Sequence, residues 1–124
     1  MTITQTTITN IKTAALAEFD DVAYIGLGDD ATTPSVLDTD LLGPVIRKAL
    51  DETAVKDIPN GTYDFATTLG LTEGNGSTLE ETGLFEQSTG GNMLDRSLLT
   101  ASVDKTSSKE LSVGLRITVT VTNE

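Results

Sequence analysis

The stretch LSVGLRITVTVT, residues 111–122, alternates aliphatic and small or polar side chains without a break. Leucine, valine and isoleucine occupy the odd positions, and serine, glycine, arginine and threonine occupy the even ones. Successive side chains of a β-strand point to opposite faces of its sheet, so the pattern predicts a strand with one buried face. Burial of each aliphatic side chain contributes about 1.5–3 kcal/mol. We expect a central strand, with Arg116 solvated or ion-paired on its polar face.

Further strands are predicted upstream. TYDFATTLGLT (62–72) alternates in the same way after the turn Pro59-Asn60-Gly61, which indicates a hairpin whose other arm lies within residues 46–58. The register of that arm is open, and a bulge or a helical start is possible. AYIGLG (23–28) is typical of a buried strand, and glycine-rich turns at 73–77 and 88–92 flank TLEETGLFEQ. Short strands at this spacing predict a mainly β protein, an antiparallel β-sandwich of jelly-roll-like type.

The N-terminal region departs from the β pattern. NIKTAALAEF (10–19) predicts one short helix capped by Asn10, and SVLDTDLL (35–42) fits a helical turn or a loop. Residues 1–9 are predicted as an extended arm and residues 10–124 as a single β-sandwich domain. Thr2, Ile3 and Thr4 in the arm are candidates for a subunit contact, because an arm can add to the sheet of a neighbouring subunit. The alternative is a frayed or locally paired terminus.

Composition limits the function. The chain has 124 residues, enough for one domain, and contains neither histidine nor cysteine. Imidazole bases, thiolate nucleophiles, Cys/His zinc sites and disulfides are therefore excluded, and we expect no enzymatic activity. The net charge of -11 opposes binding to nucleic acid or to an anionic membrane. The same acidity is consistent with a halophilic source or with an ordinary acidic surface, and neither a secretory signal nor a membrane span is expected.

Carboxylates are the strongest candidates for chemistry. Six aspartates fall near predicted loops, where their oxygens could bind a hard cation such as Ca²⁺: Asp20, Asp21, Asp29, Asp30, Asp38 and Asp40. Their spacing matches no EF-hand loop, so a solvated acidic edge is the favoured interpretation, and we predict no metal and no cofactor. Glu80 and Glu81 are adjacent in a strand and point to opposite faces, which disfavours a paired catalytic role and favours salt bridges.

Three segments show a pattern of turn glycines, acids and arginines at residues 24–47, 81–99 and 105–121. Their order and spacing resemble the N-terminal attachment domain of phage tail-collar and tail-fibre proteins. The matching positions are Gly28, Asp29, Pro34, Thr39, Leu42, Arg47, Glu81, Gly83, Leu84 and Phe85. Gly83 within its strand indicates a bulge or a close backbone approach. Arg47 and Arg96 are rare cations in this chain, so each is expected to anchor a carboxylate, within the fold or across a subunit contact.

The resemblance implies a virion structural protein that binds itself and other virion proteins. The expected location is the tail, neck, baseplate or fibre base of a tailed virus. The family domain usually begins a much longer fibre, whereas this sequence ends at Glu124, so a stand-alone unit is expected. Two alternatives stay open: a capsid-surface decoration or turret protein, and a Ca²⁺-assisted receptor- or carbohydrate-binding module.

Overall fold

Two antiparallel sheets and one helix make up the fold in the computed structural model, which describes residues 2–122. The elements are α1 (Gln5–Ala17), β1 (Tyr24–Gly28), β2 (Pro44–Ala49), β3 (Val55–Asp57), β4 (Thr62–Leu69), β5 (Ser77–Phe85), β6 (Met93–Lys105) and β7 (Leu111–Thr118). Sheet A has the strand order β2-β1-β5-β6, and sheet B has the order β3-β4-β7. The predicted antiparallel β-sandwich with one short helix is confirmed.

A single hydrophobic core joins the two sheets. Its buried members from sheet A are Ile25, Leu27, Leu79 and Leu84, those from sheet B are Tyr63, Phe65, Leu69 and Val113, and the helix contributes Leu16. The alternation predicted for residues 63–71 is confirmed as far as Leu69, because every second side chain of β4 is buried. Leu71 lies beyond the strand end and is half exposed. The inner face of each sheet is therefore set by the period-2 pattern of its strands.

The last strand alternates as predicted, but its place in the sheet is not central. β7 pairs only with β4 among the described strands, so it is an edge strand of sheet B. Its inward aliphatic side chains are half-buried, apart from the buried Val113. Alternation shows which face of a strand is dry, whereas the strand's neighbours depend on pairing partners far away in sequence. On the outer face, Arg116 donates to both carboxylate oxygens of Asp64, at 2.7 and 2.9 Å.

This exposed ion pair gives the fold an acid-sensitive contact. The hydrogen bond from Arg116 holds the pKa of Asp64 below its ordinary value. A carboxyl whose pKa is lowered by folding stabilises the folded state above its unfolded pKa, and that contribution is lost as the pH falls through the folded pKa. We expect Asp64→Asn to reduce stability at neutral pH and to have progressively less effect as the pH falls below the ordinary aspartate pKa of about 3.9. Urea unfolding of the unmodified protein and of Asp64→Asn between neutral and acidic pH tests this expectation. A difference in the free energy of unfolding that stays constant with pH would contradict it.

The hairpin into β4 is confirmed but is shorter than expected. The predicted arm at residues 46–58 divides into β2, which belongs to sheet A, and β3, which pairs with β4. The chain crosses between the sheets at Leu50 and Asp51. The Leu50 amide bonds the carbonyl of Ala23, which directly precedes β1 of sheet A, and the Asp51 amide bonds the carbonyl of Ala66 in β4 of sheet B. Gly61 closes the turn with φ +68°, and a Cβ there would collide with the carbonyl oxygen of Val119. Glycine is required at this position because of both constraints.

The predicted N-terminal arm is largely wrong. The helix begins at Gln5, so residues 5–9 are helical, and Asn10 lies inside the helix. Thr4 is the N-cap, and its hydroxyl accepts a hydrogen bond from the Thr7 amide at 3.4 Å. A threonine cap is nearly as effective as asparagine, which is why the earlier start competes. Within the described residues, only residues 2–4 precede the helix. Met1 of the predicted arm and Asn123 and Glu124 of the predicted domain lie outside the described residues.

Residues 35–42 form a loop with a turn rather than a helix. None of the helical segments within residues 2–122 has the length and apolar character needed to span a membrane.

Candidate functional site

The outer face of sheet A carries a ring packed on glycines. Gly26 of β1 and Gly83 of β5 are paired, and the Phe85 ring lies across them. A Cβ at Gly26 would be 2.6 Å from Cε2 of Phe85, and one at Gly83 would be 3.0 Å away. Leu41 covers this arrangement from the loop side, and Phe85 is only 1% exposed. The predicted close approach at Gly83 is thus an approach by an aromatic side chain.

Arg47 of β2 covers the Phe85 ring on the side that faces away from the glycines. Its guanidinium carbon lies 3.6 Å from the centre of the Phe85 ring, the geometry of a cation–π contact. Nη1 donates to the carbonyl oxygens of Gln87 at 2.9 Å and Gly90 at 2.8 Å. Nη2 lies 3.7 Å from the Asp40 carboxylate. Arg47 therefore ties the turn after β5 to the ring, and its contact with a carboxylate is secondary.

Glu81 of β5 is fully buried beside this ring and accepts hydrogen bonds on both oxygens. Oε2 accepts from the amides of Gly43 at 2.7 Å and Asp30 at 3.1 Å. Oε1 accepts from the Leu42 amide at 3.0 Å and from Nε of Arg96 at 2.9 Å. Gly28 opposite Glu81 leaves room for this carboxylate, since a Cβ there would collide with Oε2. Four donors compensate the loss of hydration that burial of a charge entails.

Arg96 of β6 completes the polar cluster. Its side chain is 2% exposed, and Nη1 donates to the Thr32 carbonyl at 2.8 Å and to the Asp38 carboxylate at 3.3 Å. Nη2 donates to the Asp30 carbonyl at 3.3 Å. The pKa of Asp30 is lowered, mainly by its hydrogen bonds with Thr32 and additionally by the charge of Arg96. A single guanidinium thus holds both the backbone and the acids of one loop.

We call this set the anchoring cluster: Arg47, Glu81, Phe85 and Arg96 together with the glycines Gly26, Gly28 and Gly83. It fixes residues 29–43, here called the anchored loop, to sheet A. Loops of this length without regular structure are uncommon in compact domains and usually carry function. At its tip Val36 is 102% exposed and Leu37 is 84% exposed. An open cavity of about 430 Å³ lies beside the tip, between Pro34, Val36 and the Met93–Arg96 part of β6.

The structure assembles most residues of the predicted motif, with clear exceptions. Leu84 points to the opposite face and belongs to the core. Asp29 is exposed, and only its backbone amide ties the loop, by a 2.8 Å bond to the Gly43 carbonyl. Arg96 anchors carboxylates within the fold as expected, mainly Glu81, whereas Arg47 chiefly binds carbonyls and a ring. Thr4 of the predicted arm is not part of this cluster, because it is the N-cap of α1.

Four of the six candidate aspartates contact other groups of the protein: Asp20, Asp30, Asp38 and Asp40. Asp20 accepts from Lys56 at 2.8 Å and Tyr63 at 2.9 Å, while Asp30 and Asp38 face Arg96. Among residues 2–122 no group of three or more acidic side chains is arranged to hold a metal ion. Glu80 and Glu81 do point to opposite faces: Glu80 accepts from exposed Ser102, and Glu81 is buried.

Sequence reasoning missed two parts of the cluster. Gly26 was predicted only as a strand residue, and Gly28 was identified through the resemblance and not through its packing. Glycines at every second position of a strand could have indicated a face packed against a bulky group. The partners of Glu81 were missed because they are backbone amides of Asp30, Leu42 and Gly43, and no side-chain pattern records which amides a loop turns inward. In the part of the chain that the structure describes, no buried side-chain polar atom lacks a hydrogen-bond partner.

Comparison of the chain with models of known protein families finds no matching family, and comparison with curated proteins finds no relative.

Proposed function

We propose that the protein is a non-enzymatic structural component of a tailed-virus particle. It forms homo-oligomers and binds other virion proteins at the tail, neck, baseplate or fibre base. The observation that supports this most is the anchoring cluster: Gly28, Arg47, Glu81 and Phe85, which carry the family resemblance in separate segments, meet in one buried arrangement. Motif residues that also contact one another in the fold support the resemblance more strongly than individual turn glycines do.

The cluster suits a binding role because it ties a long loop to sheet A at several points. A loop that is already ordered loses less conformational entropy when a partner binds, so more of the contact energy appears as affinity. The anchored loop presents Val36 and Leu37 to solvent, and exposed apolar side chains beside a cavity are typical of contact surfaces. Asp30 and Asp38 of the loop are paired with Arg96, which weighs against a Ca²⁺-assisted module.

Membership of a particle can be tested directly. Particles purified from lysates of the source host should contain the chain at a fixed ratio to the major structural proteins by mass spectrometry. Immunogold labelling with antibodies against the recombinant protein should then mark the tail or its junction with the head. Labelling of the capsid faces would favour the decoration alternative, and a chain present in infected cells but absent from purified particles would overturn the proposal.

The loop tip gives a sharper test. The double variant Val36→Ser/Leu37→Ser should fold with unchanged stability and be incorporated into particles at least roughly tenfold less, since apolar anchors dominate protein contacts. Val55→Ser is the matched control, because Val55 is 61% exposed in β3, far from the tip in sequence. Equal incorporation of both variants, measured in a complementation assay, would exclude the tip as a contact.

A further inference from the structure

Strand edges decide where a β-sandwich can add a further strand, and the edges of this fold differ in protection. β2 contains Pro44, and its register with β1 shifts between Leu27 and Gly28. β3 has only three residues. Bulges, proline and short length are devices that prevent edge-to-edge pairing.

The remaining edge of sheet A, β6, is protected by a large irregularity. Leu98 pairs with Glu81 and Val103 with Leu79, so residues 99–102 of β6 stand opposite one residue of β5. An insertion of this kind bends the strand and interrupts its row of outward backbone groups. A partner strand could not follow β6 along its length.

β7 is different from these three edges. It pairs with β4 over all eight residues without a register shift. It has no proline and no lysine, and its one charge, Arg116, is already paired with Asp64. It is the long, regularly paired kind of edge that templates a further strand.

The outward backbone groups of β7 follow from its register. The Val119 amide donates to the Gly61 carbonyl at 2.7 Å, so odd-numbered residues of this strand bond toward β4. Even-numbered residues therefore direct their amides and carbonyls away from the sheet. These are Ser112, Gly114, Arg116 and Thr118. Within residues 2–122, no hydrogen bond outside the β4–β7 pairing involves these backbone groups.

A strand added at β7 would also cover apolar surface. Among the described strands β7 has a neighbour on one side only, so the position on its other side is open. The inward aliphatics Leu111, Leu115 and Ile117 of β7 are half-buried. A fourth strand with inward aliphatics would remove part of this surface from water.

We infer that β7 binds β7 of a second copy of this chain, antiparallel, to form one continuous six-stranded sheet across a two-fold axis. Pairing about Leu115 places Leu111 opposite Val119 and Val113 opposite Ile117 of the partner copy. The same register pairs Ser112 with Thr118 and Gly114 with Arg116, so the outward backbone groups meet in hydrogen-bonded pairs. Every inward aliphatic then faces another aliphatic, which is the self-complementarity that a two-fold contact requires.

The inference rests on the proposed role as an assembling subunit and specifies the self-contact of that role. The contact is small for a protein interface, so we expect a dimer whose population rises with concentration. Sedimentation velocity over a dilution series measures it. A protein that stays monomeric up to its solubility limit would overturn the β7 contact. Such a result would not decide whether the chain is part of a particle, which the mass spectrometry of purified particles tests separately. Absence from particles, conversely, would leave a measured dimer standing.

A charge pair at Gly114 distinguishes this contact from others. A Cβ at Gly114 meets nothing closer than the Phe65 carbonyl at 4.0 Å, so side chains fit there in the monomer. Gly114→Lys places a cation opposite the partner's Arg116 and should weaken the dimer roughly tenfold. Gly114→Glu places an anion there and should keep or strengthen the dimer. Equal effects of the two substitutions would overturn the proposed register.

Cross-linking tests the axis, because the chain has no cysteine of its own. Leu115→Cys should form an intermolecular disulfide under mild oxidation, since directly opposed residues of an antiparallel pair lie within disulfide reach. Thr100→Cys on the exposed part of β6 is the control and should stay reduced. Cross-linking of Thr100→Cys alone would place the contact on the other sheet and overturn the inference. If deletion of residues 2–4 abolished the dimer while the Gly114 variants dimerised normally, the contact would lie at the N-terminal segment and the inference would be overturned.

Discussion

Glu81→Gln should cost about 3–5 kcal/mol of the free energy of unfolding, the usual effect of breaking a buried ion pair. All four partners of the carboxylate are donors, namely three amides and Nε of Arg96. The glutamine amide group must turn its NH₂ toward some of these donors, and the buried guanidinium loses its nearest counter-charge. Urea unfolding followed by circular dichroism gives the loss directly.

Glu80→Gln is the matched control, since Glu80 is the adjacent residue and bonds only the exposed Ser102. It should change stability by no more than about 0.5 kcal/mol. A second measurement reports on the anchored loop: hydrogen exchange of the Leu42 and Gly43 amides should accelerate in Glu81→Gln and stay slow in Glu80→Gln. Equal stability losses in the two variants would contradict the anchoring role of Glu81.

The sheets were predictable from the sequence because the signals that build them are local. Strict alternation gave β4 and β7, and the Pro59-Asn60-Gly61 turn gave the β3–β4 hairpin. The position of β7 at an edge was not predictable in this way, because the alternation of a strand is the same with one neighbour or two. The helix start was missed because Thr4 and Asn10 are both acceptable caps, and the local sequence does not decide between them.

The candidate site was predictable only in part. Glu81, Phe85 and Arg96 were identified through resemblance and through the rarity of cations, not through their contacts. The anchored loop brings Asp30 to Arg96 across 66 residues of sequence, and no local pattern encodes a contact of that separation. The partners of Arg47 could not be predicted from the sequence either, because the aromatic ring and the backbone carbonyls that it contacts are uncharged. Charge counting finds arginine–carboxylate pairs more readily than arginine bound to backbone.

Phe85→Ala should be the most destabilising apolar substitution on the outer face of sheet A, at about 3–5 kcal/mol. The ring fills the space above Gly26 and Gly83 and supports the guanidinium of Arg47, so its removal leaves a cavity and an arginine without its platform. Thermal unfolding should show the loss, together with faster proteolysis in the turn at residues 86–92 that Arg47 holds. A loss below about 1 kcal/mol would mean that Leu41 and Met93 refill the space.

Gly26→Ala probes the same packing from the other side. Its Cβ would lie 2.6 Å from the Phe85 ring, and the ring cannot move away because Arg47 and Leu41 cover it, so we expect a loss of about 1–3 kcal/mol. In the Phe85→Ala background the same substitution should be close to neutral, which makes the two changes strongly non-additive. Gly114→Ala is the control, since it adds a methyl group to a strand glycine with open space. Additive losses for Gly26→Ala and Phe85→Ala would show that the glycine serves the backbone of β1 and not the aromatic ring.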